Sequence, residues 1–324
     1  MQSLGIELAE PLRLERIGLG QSNLTYLVSH QAEGRWVLRC RPAGPLLASA
    51  HDIGREARIL SALERTDVPT PRVLGVTGEP DAPLVLVEYV DGVVVDRMSV
   101  ARKLAPDLRR GIALSMVSTL AKVHAVDLTA TGLIDVASHK PYAQRQLRRW
   151  SGQWEASKTR ELPALDRLTA RLHDAAPEQL ELTLVHGDFH LRNVITDPAD
   201  GSVRATLDWE LSTLGDPLAD LGTLLAYWPS SGEATAGGFD ASALPGFPER
   251  EELVSAYVAQ TGRDPSALGF WHALGLWKVA IIAEGIVRRT TDVPQNRAAE
   301  GTPTVEQIDA LVERASAVAA AAGL

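Results

Sequence analysis

The residues best suited to chemistry lie in two short runs of the chain. They are His186-Gly187-Asp188-Phe189-His190-Leu191-Arg192-Asn193 and, just past the next predicted strand, Leu207-Asp208-Trp209-Glu210. A carboxylate therefore stands five residues before an amide, and a second carboxylate follows. Magnesium-assisted phosphoryl transfer requires this set, because one group orients the attacking hydroxyl while an Asn and an Asp hold the metal that bridges the nucleotide phosphates. The spacing predicts a small-molecule kinase.

Length and composition allow a large enzyme core and argue against several other classes of protein. The chain has 324 residues, of which 45% are hydrophobic, and this is enough for two lobes or two domains. Its formal net charge of -9 argues against nucleic-acid binding, which requires a basic surface. The single cysteine, Cys40, excludes an internal disulfide and a Cys-rich zinc site.

Targeting and membrane signals are not evident in the sequence. Residues Met1–Glu10 carry acids and no apolar run, so we expect no secretory signal. The apolar run Leu276–Val287 contains Lys278 and Glu284, and we expect it to be too short and too charged to span a bilayer. We therefore expect a cytoplasmic protein without membrane or nucleic-acid partners. The sequence carries no signal for an oligomeric state.

Predicted strands come first in the chain and predicted helices later. This order favours the α+β class, with a sheet lobe at residues 1–90 and a larger helical lobe at residues 91–324. Five strands are predicted, and the first three would form an antiparallel meander. They are Leu12–Ile17, Leu24–Ser29, Trp36–Arg39, Arg72–Val76 and Leu84–Val90.

Helical spacing of apolar residues predicts one helix in the first lobe and seven in the second. They are Ser49–Leu63, Pro106–Val126, Tyr142–Lys158, Ala164–Ala175, Pro217–Trp228, Glu249–Thr261, Pro265–Arg289 and Thr304–Ala321. Between Pro229 and Pro248 the chain is rich in Gly, Ala, Ser and Pro and has little periodicity. This composition predicts a mobile loop.

The motifs resemble those of a known family over nearly the whole chain. The set His186-Gly187-Asp188, Asn193 and Asp208 is similar to the catalytic motif of the aminoglycoside phosphotransferase superfamily. One branch is more similar still, the phosphotransferase domain fused to some acyl-CoA dehydrogenases. The segments that carry this closer resemblance are Gly20–Asn23, Trp36–Arg39, Leu207–Leu221 and Trp277–Ala280. The resemblance implies a bilobal protein-kinase-like fold and phosphate transfer from ATP or GTP to a hydroxyl, which in the fused relatives belongs to a hydroxyacyl thioester.

The resemblance also implies a role for each motif residue. Asp188 would orient the acceptor hydroxyl and accept its proton, unless it only caps a turn. Asn193 and Asp208 would bind Mg²⁺ through hard oxygens, unless one bonds the loop backbone and the other merely ends a strand. His190 or Arg192 would steady the transferring phosphoryl group. We favour Arg192, because its charge is permanent and its fork matches phosphate oxygens, although a solvated surface arginine is the alternative.

The two histidines of the motif allow a different interpretation. His186 and His190 flank Asp188 as His-x-Asp-x-His, a pattern that could bind zinc or iron for hydrolysis. No third histidine or carboxylate cluster lies nearby in the sequence. We therefore expect His186 to pack within the loop.

Nucleotide-binding residues are expected in the first lobe. Gly18, Gly20 and Ser22 resemble a glycine-rich phosphate loop, although two glycines in a hairpin often form only a turn. Arg39 stands where most kinases have a lysine, and it would hold phosphates and pair with Glu56 on the following helix.

The choice of Arg39 has one competitor in the sequence. Arg41 lies two residues further along the same strand and could take the same role. Glu88 and Val90, in the segment that joins the lobes, would offer backbone groups to the nucleobase, as the resemblance implies.

Two departures from protein kinases predict an enzyme that needs no activating phosphorylation. Gly187 replaces the arginine that senses a phosphorylated activation loop, and Trp209-Glu210 replaces the Phe-Gly pair that lets that loop flip. Asp216 and Asp220 are expected to support the catalytic loop through backbone hydrogen bonds.

The acceptor site is less constrained by the sequence. The candidate side chains, each as well suited to the core or the surface, are Tyr227, Trp228, Trp271, His272 and Arg288. Aromatic walls with an arginine favour an acyl or carboxylate-bearing acceptor, whereas an aminoglycoside would need a dense acidic patch. We therefore prefer a hydroxyacyl or other hydroxylated metabolite. An aminoglycoside or macrolide acceptor and a catalytically silent nucleotide-binding scaffold are the alternatives.

Overall fold

An antiparallel sheet forms the N-terminal part of the protein. The computed structural model describes residues 12–17, 23–30, 34–41, 52–79, 82–293 and 301–324. Five strands make the sheet in the order β1-β2-β3-β5-β4. They are β1 (Arg13–Ile17), β2 (Leu24–His30), β3 (Gly34–Cys40), β4 (Val73–Glu79) and β5 (Ala82–Glu88). The predicted meander of the first three strands is confirmed by their antiparallel pairing.

One helix packs on this sheet. Helix α1 (Ile53–Leu63) begins after Asp52, whose side chain accepts a hydrogen bond from the Arg55 N–H at 2.8 Å and so caps the helix. The predicted start at Ser49 lies outside the described residues. The predicted apolar face is confirmed, and its buried members pack toward β5, which places the buried Glu56 of the same face under the sheet.

Helices make up most of the remaining chain. They are α2 (Met98–Ala101), α3 (Pro106–His124), α4 (Tyr142–Ser157), α5 (Pro163–Asp174), α6 (Pro217–Ala226), α7 (Arg250–Thr261), α8 (Leu268–Asp292) and α9 (Val305–Ala321). The seven predicted helices of this lobe agree with the structure to within three residues at each end, and the short α2 was not predicted. Together with the sheet they give the predicted α+β, bilobal arrangement.

Four short strands lie between α5 and α6 and hold the catalytic segment. Strand β6 (Thr183–Val185) pairs with β9 (Thr213–Gly215), and β7 (Val194–Thr196) pairs with β8 (Val203–Thr206). The first predicted motif therefore lies between β6 and β7, and the second follows β8. These two antiparallel strand pairs thus place both motifs on the same side of the helical part.

Helix α8 packs against α4, α5, α6 and α9 in the hydrophobic core of the helical part. It is 25 residues long, and its mean hydropathy of 1.4 over its most apolar window makes it long and apolar enough to cross a membrane. This differs from the expectation that the run is too short and too charged. In this fold 78% of that window is buried inside the protein, as in the core helix of a globular domain.

The segment between α6 and α7 is packed rather than loosely attached, in contrast to the predicted mobile loop. It contains a 3₁₀ turn at Ala241–Ala243 and buries Phe247. The Trp228 indole N–H donates to the Pro248 carbonyl at 2.9 Å, and the Arg109 guanidinium donates to the Pro245 carbonyl at 2.6 Å. Side-chain bonds to its carbonyls replace the regular secondary structure that the sequence pattern lacks.

Two glycines allow α6 and α8 to approach closely. A Cβ atom on Gly222 would lie 2.4 Å from the backbone carbon of Trp271, and one on Gly275 would lie 2.9 Å from the Gly222 carbonyl oxygen. No real Cβ tolerates such contacts, so these residues set the distance between the two helices.

Replacing Gly222 with alanine should therefore destabilise the protein. We expect Gly222→Ala to lower the free energy of unfolding by about 1–3 kcal/mol, because α6 must move away from α8. Gly152→Ala is the matched control, since a Cβ there meets nothing within 4 Å, and it should raise the stability by about 0.5–1 kcal/mol. Urea unfolding measures both, and equal effects would contradict the close-approach explanation.

Candidate active site

Asp188 and Asn193 are joined by direct hydrogen bonds. The Asn193 amide nitrogen donates to the Asp188 main-chain carbonyl at 2.8 Å and approaches the Asp188 carboxylate at 3.2 Å. Asn193 ends a 3₁₀ turn that begins at Leu191, so the amide is aimed back at the loop. Because the nitrogen faces Asp188, the amide oxygen is left for another partner.

The backbone before Asp188 is held by Asp220 on α6. Its two carboxylate oxygens accept from the His186 N–H at 2.6 Å and the Gly187 N–H at 2.8 Å. This confirms the expected support of the catalytic loop by Asp220. Asp216 instead caps its own helix, where its side chain accepts from the Leu218 N–H at 2.9 Å.

Gly187 has a conformational role that differs from the one inferred from its sequence position. Its φ is +83°, and a Cβ there would lie 2.7 Å from the Leu211 carbonyl oxygen. Both features require glycine. The sequence alone indicates only that Gly187 replaces a regulatory arginine of protein kinases.

Behind Asp220 lies a buried pair of groups that sequence reasoning missed. The His124 Nε2 lies 3.3 Å from Asp220 Oδ2, and its Nδ1 lies 2.6 Å from the Tyr257 hydroxyl. His124 ends α3 and Tyr257 lies on α7, so the contacts join helices far apart in the chain. No local pattern identifies such a chain of contacts.

Several neighbouring groups determine the charge of Asp188. Its carboxylate is 22% exposed and lies 3.3 Å from His190 Nε2. Burial alone would raise the pKa of Asp188, but His190, Lys278 and His186 together hold the pKa well below its usual range. Asp188 therefore stays ionised at neutral pH, as a group that orients a hydroxyl must.

Asp208 occupies a strained backbone position. Its φ of 64° and ψ of 59° are left-handed, and among the residues that the structure describes it is the only non-glycine with positive φ. The next residue, Trp209, is fully buried, with its indole N–H donating to the Thr206 carbonyl at 3.2 Å and its ring 4.7 Å from that of His186. Strain of this kind is often found at functional sites.

Arg39 connects the sheet to the catalytic segment. Its guanidinium lies 3.1 Å from the Glu56 carboxylate and 3.3 Å from that of Asp208. The predicted pairing with Glu56 is therefore present. Burial would lower the pKa of Arg39, but the Glu56 and Asp208 carboxylates raise it overall, so a full positive charge stands at this point of the cleft.

A cleft of about 600 Å³ brings the predicted site residues together. The residues from the predicted set that line it are Arg39, Glu56, Glu88, Val90, Asp188, Arg192, Asn193 and Asp208. Gly18, Gly20 and Ser22 lie outside the described residues. Their roles, and those of the lining residues toward ligands, stay predictions.

Within the cleft, Glu88 and Arg192 already have protein partners. The Glu88 N–H donates to the Arg72 carbonyl at 2.9 Å, so it is not available to a nucleobase and only the Glu88 carbonyl would be. The Arg192 guanidinium donates to the Gly237 and Gly238 carbonyls at 2.7 and 2.6 Å and lies 3.7 Å from the Phe239 ring centre. Arg192 therefore fastens the segment between α6 and α7 beside the cleft, an interaction that the sequence did not indicate.

The five candidate acceptor residues do not line the described part of the cleft. Only Tyr227 lies near it, with its ring 4.6 Å from that of His190. Trp228 and Trp271 are buried in the core, and Arg288 pairs with Asp292 on α8. The core positions of the two tryptophans agree with the alternative that the sequence left open, because a helix face that packs in the core has the same composition as a ligand wall.

The donor set in the cleft fits a magnesium ion. Asn193 offers an amide oxygen, and Asp208 offers a carboxylate that is 39% exposed. Among the described residues no group of three His, Cys, Asp or Glu side chains is placed to hold a metal ion. Two hard oxygen ligands suit Mg²⁺, because this ion takes its remaining ligands from phosphates and water.

The fold and the cleft define a kinase-like small-molecule phosphotransferase. A sheet with a half-buried arginine, Arg39, paired to the buried Glu56 faces a helical part that carries Asp188, Asn193 and Asp208. The model of the Phosphotransferase enzyme family matches residues 13–253. The chain belongs to this family.

Relatives from two groups are similar to the chain. Acyl-CoA dehydrogenase family member 10 of Mus musculus is 39% identical over 295 residues, which cover 89% of this chain but 27% of that protein. The chain thus spans about a quarter of this relative's length. Aminoglycoside 3'-phosphotransferase of Streptomyces fradiae is 27% identical over 188 residues, covering 53% of this chain and 63% of that protein.

A solved structure supports the fold. It is a crystal structure from Ralstonia eutropha JMP134, whose protein carries the provisional name aminoglycoside phosphotransferase. It has 31% sequence identity and a TM-score of 0.73, covering 96% of this chain and 91% of its own. The predicted kinase-like fold and family are therefore confirmed.

Replacing Asp188 tests its role in turnover. We expect Asp188→Asn to lower kcat by about 10²–10⁴-fold, because the neutral amide cannot accept the acceptor's proton. Asp200→Asn, in the exposed β7–β8 turn, should leave kcat unchanged. Steady-state phosphoryl transfer is the measurement, and near-full activity of the first variant would remove the role.

The two candidate arginines can be separated by nucleotide binding. We expect Arg39→Ala to weaken binding about tenfold or more, because it removes a half-buried cation that lines the cleft. Arg41→Ala is the comparison, since Arg41 is not among the cleft-lining residues. Calorimetric titration with ATP and Mg²⁺ measures both, and a larger loss in Arg41→Ala would reverse the assignment.

Proposed function

We propose that the protein transfers the γ-phosphate of ATP or GTP to a hydroxyl of a small hydroxyacyl metabolite with the help of Mg²⁺. The observation that supports this most directly is the convergence of Asp188, Asn193, Asp208 and Arg39 on one cleft. Residues 1–90 would bind the nucleotide, and residues 91–324 would supply the catalytic loop and the acceptor site.

Each residue would have a separate task in the transfer. The Asp188 carboxylate accepts a hydrogen bond from the acceptor hydroxyl and aims its oxygen at the γ-phosphorus. The new bond joins that oxygen to phosphorus, the bond to the β–γ bridging oxygen breaks, and a nucleoside diphosphate leaves. The hydroxyl proton passes to Asp188 and then to solvent.

The remaining charges would hold the phosphates in place. Asn193 and Asp208 would bind Mg²⁺, which when bound offsets negative charge on the phosphate oxygens. Arg39, oriented by Glu56, would hold the phosphates from the opposite side of the cleft. His190 lies 3.3 Å from Asp188 and would be near the transferring group, whereas Arg192 uses its Nη2 for the two glycine carbonyls and would contact the phosphoryl group only through its other nitrogens.

The charges that line the cleft favour a hydroxyacyl acceptor over an aminoglycoside. A polycationic acceptor requires carboxylates without protein partners. Each of the five carboxylates that line the described part of the cleft has a basic side chain within 4.0 Å. Glu56 and Asp208 share Arg39, and the partner of Asp188 is a histidine, which is charged only when protonated. The pairs are Glu56–Arg39, Asp208–Arg39, Glu88–Arg72, Asp96–Arg97 and Asp188–His190. The name of the mouse relative, an acyl-CoA dehydrogenase family member, also points to acyl chemistry.

A silent nucleotide-binding scaffold is the second candidate from a different class. Such a protein would be expected to lack one of the three residues Asp188, Asn193 and Asp208, and all three are present in the cleft. The scaffold is therefore disfavoured.

An acceptor panel tests the proposal. The purified chain is incubated with γ-labelled ATP or GTP and Mg²⁺, with hydroxy acids, their coenzyme A thioesters, aminoglycosides and a macrolide as acceptors. We expect label on the hydroxyacyl compounds. Transfer of the label should be lost when Mg²⁺ is chelated, and it should fall in Asp188→Asn by the factor predicted above. Label on aminoglycosides alone would overturn the acceptor class, and nucleotide binding without transfer to any acceptor would favour the scaffold.

A further inference from the structure

A lysine is buried in the apolar helix α8. Lys278 is 9% exposed, and its neighbours along the helix, Trp277, Val279, Ala280 and Ile281, are all buried. It lies beyond residue 253, where the match to the family model ends. Because an ammonium loses hydration when it is buried, a lysine persists at such a position only with compensating partners.

Its partner is the catalytic loop. The Lys278 ammonium donates to the Gly187 carbonyl at 2.7 Å and lies 5.3 Å from the Trp150 ring centre. Beside it is a cavity of about 20 Å³, whose lining includes the polar side chains of Gln146 and Thr223. This cavity is large enough for one water molecule, which would accept a second hydrogen bond from the ammonium group.

The hydrogen bond from Lys278 fixes the peptide group between Gly187 and Asp188. The Gly187–Asp188 peptide has its carbonyl bound by Lys278 and its N–H directed at His186 Nδ1, 3.3 Å away. The next carbonyl, that of Asp188 itself, is bound by Asn193. The orientation of the carboxylate therefore depends on both anchors.

Lys278 also supplies charge where the loop needs it. Two carboxylates, Asp188 and Asp220, interact electrostatically with its ammonium. Burial lowers the pKa of Lys278, and both carboxylates act against this change. Asp188 interacts favourably with His190, Lys278 and His186. Of these three groups, Lys278 is the aliphatic amine.

We propose that Lys278 is a positioning residue for phosphoryl transfer, which fixes the Gly187 carbonyl and thereby holds the Asp188 carboxylate against the acceptor hydroxyl. The inference rests on the proposed function. A purely structural lysine would affect stability alone, whereas a positioning lysine affects the chemical step.

Lys278→Met tests this inference, because methionine is similar in length and removes only the ammonium. We expect kcat to fall by about 10–100-fold, as is typical when an outer partner of a catalytic group is lost. The KM values for nucleotide and acceptor should stay within about twofold, since Lys278 does not line the cleft. If the variant does not fold, Lys278→Gln replaces it, with the same expected loss.

Leu276→Ala is the matched control on the same helix. Leu276 is fully buried, so its truncation should lower the melting temperature while kcat per folded molecule is unchanged. A kcat of the Lys278 variant within about twofold of wild type, or a loss no larger than that of Leu276→Ala at equal folded fraction, would overturn the inference.

Amide hydrogen exchange gives a readout that does not require turnover. Peptides that cover residues 186–193 should exchange at least about tenfold faster in Lys278→Met than in wild type, and unchanged in Leu276→Ala. Unaltered exchange would overturn the inference. If wild type phosphorylates no acceptor, the proposed function fails, while the exchange measurement still decides the role of Lys278.

Discussion

The activity that we propose for this cleft depends on one carboxylate, Asp188, that must remain charged and correctly oriented while the surrounding protein removes most of its water. A carboxylate in such a place is stable only where cations and hydrogen-bond donors replace hydration. The fold achieves this mainly through backbone anchors. Asp220 holds the amides before Asp188, Asn193 holds its carbonyl, and Lys278 holds the carbonyl of Gly187. Because the anchors come from separate elements, the shape of the loop depends on the packing of the whole helical part.

The same principle governs the opposite wall of the cleft. Arg39 contacts Glu56 on α1 and Asp208 after β8, so one guanidinium joins the sheet, its helix and the catalytic segment. In the described part of the cleft, each carboxylate likewise lies within 4.0 Å of a basic side chain. These contacts reduce the repulsion that the carboxylates would exert on an anionic nucleotide.

Much of the fold and the chemistry was readable from the sequence because both leave local patterns. Apolar spacing located the meander and most of the helices, and the spacing of Asp188, Asn193 and Asp208 identified the chemistry. Contacts between distant residues leave no such pattern. The contacts of His124, Tyr257 and Lys278 could not be predicted for this reason. The segment between α6 and α7 has no periodic pattern, and a mobile loop was therefore predicted, whereas side-chain hydrogen bonds to its carbonyls hold it in the structure. Composition also left the acceptor site open, because core aromatics such as Trp271 have the same composition as a ligand wall.

The left-handed backbone of Asp208 sets stability against chemistry at a single residue. An L-residue with a side chain pays about 1–2 kcal/mol to adopt this conformation, whereas glycine adopts it freely. A glycine at this position would relieve the backbone, but it would also remove the carboxylate that contacts Arg39 and that we propose as a Mg²⁺ ligand. The torsion angle of one residue thus carries a cost in stability that only the function of its side chain would offset.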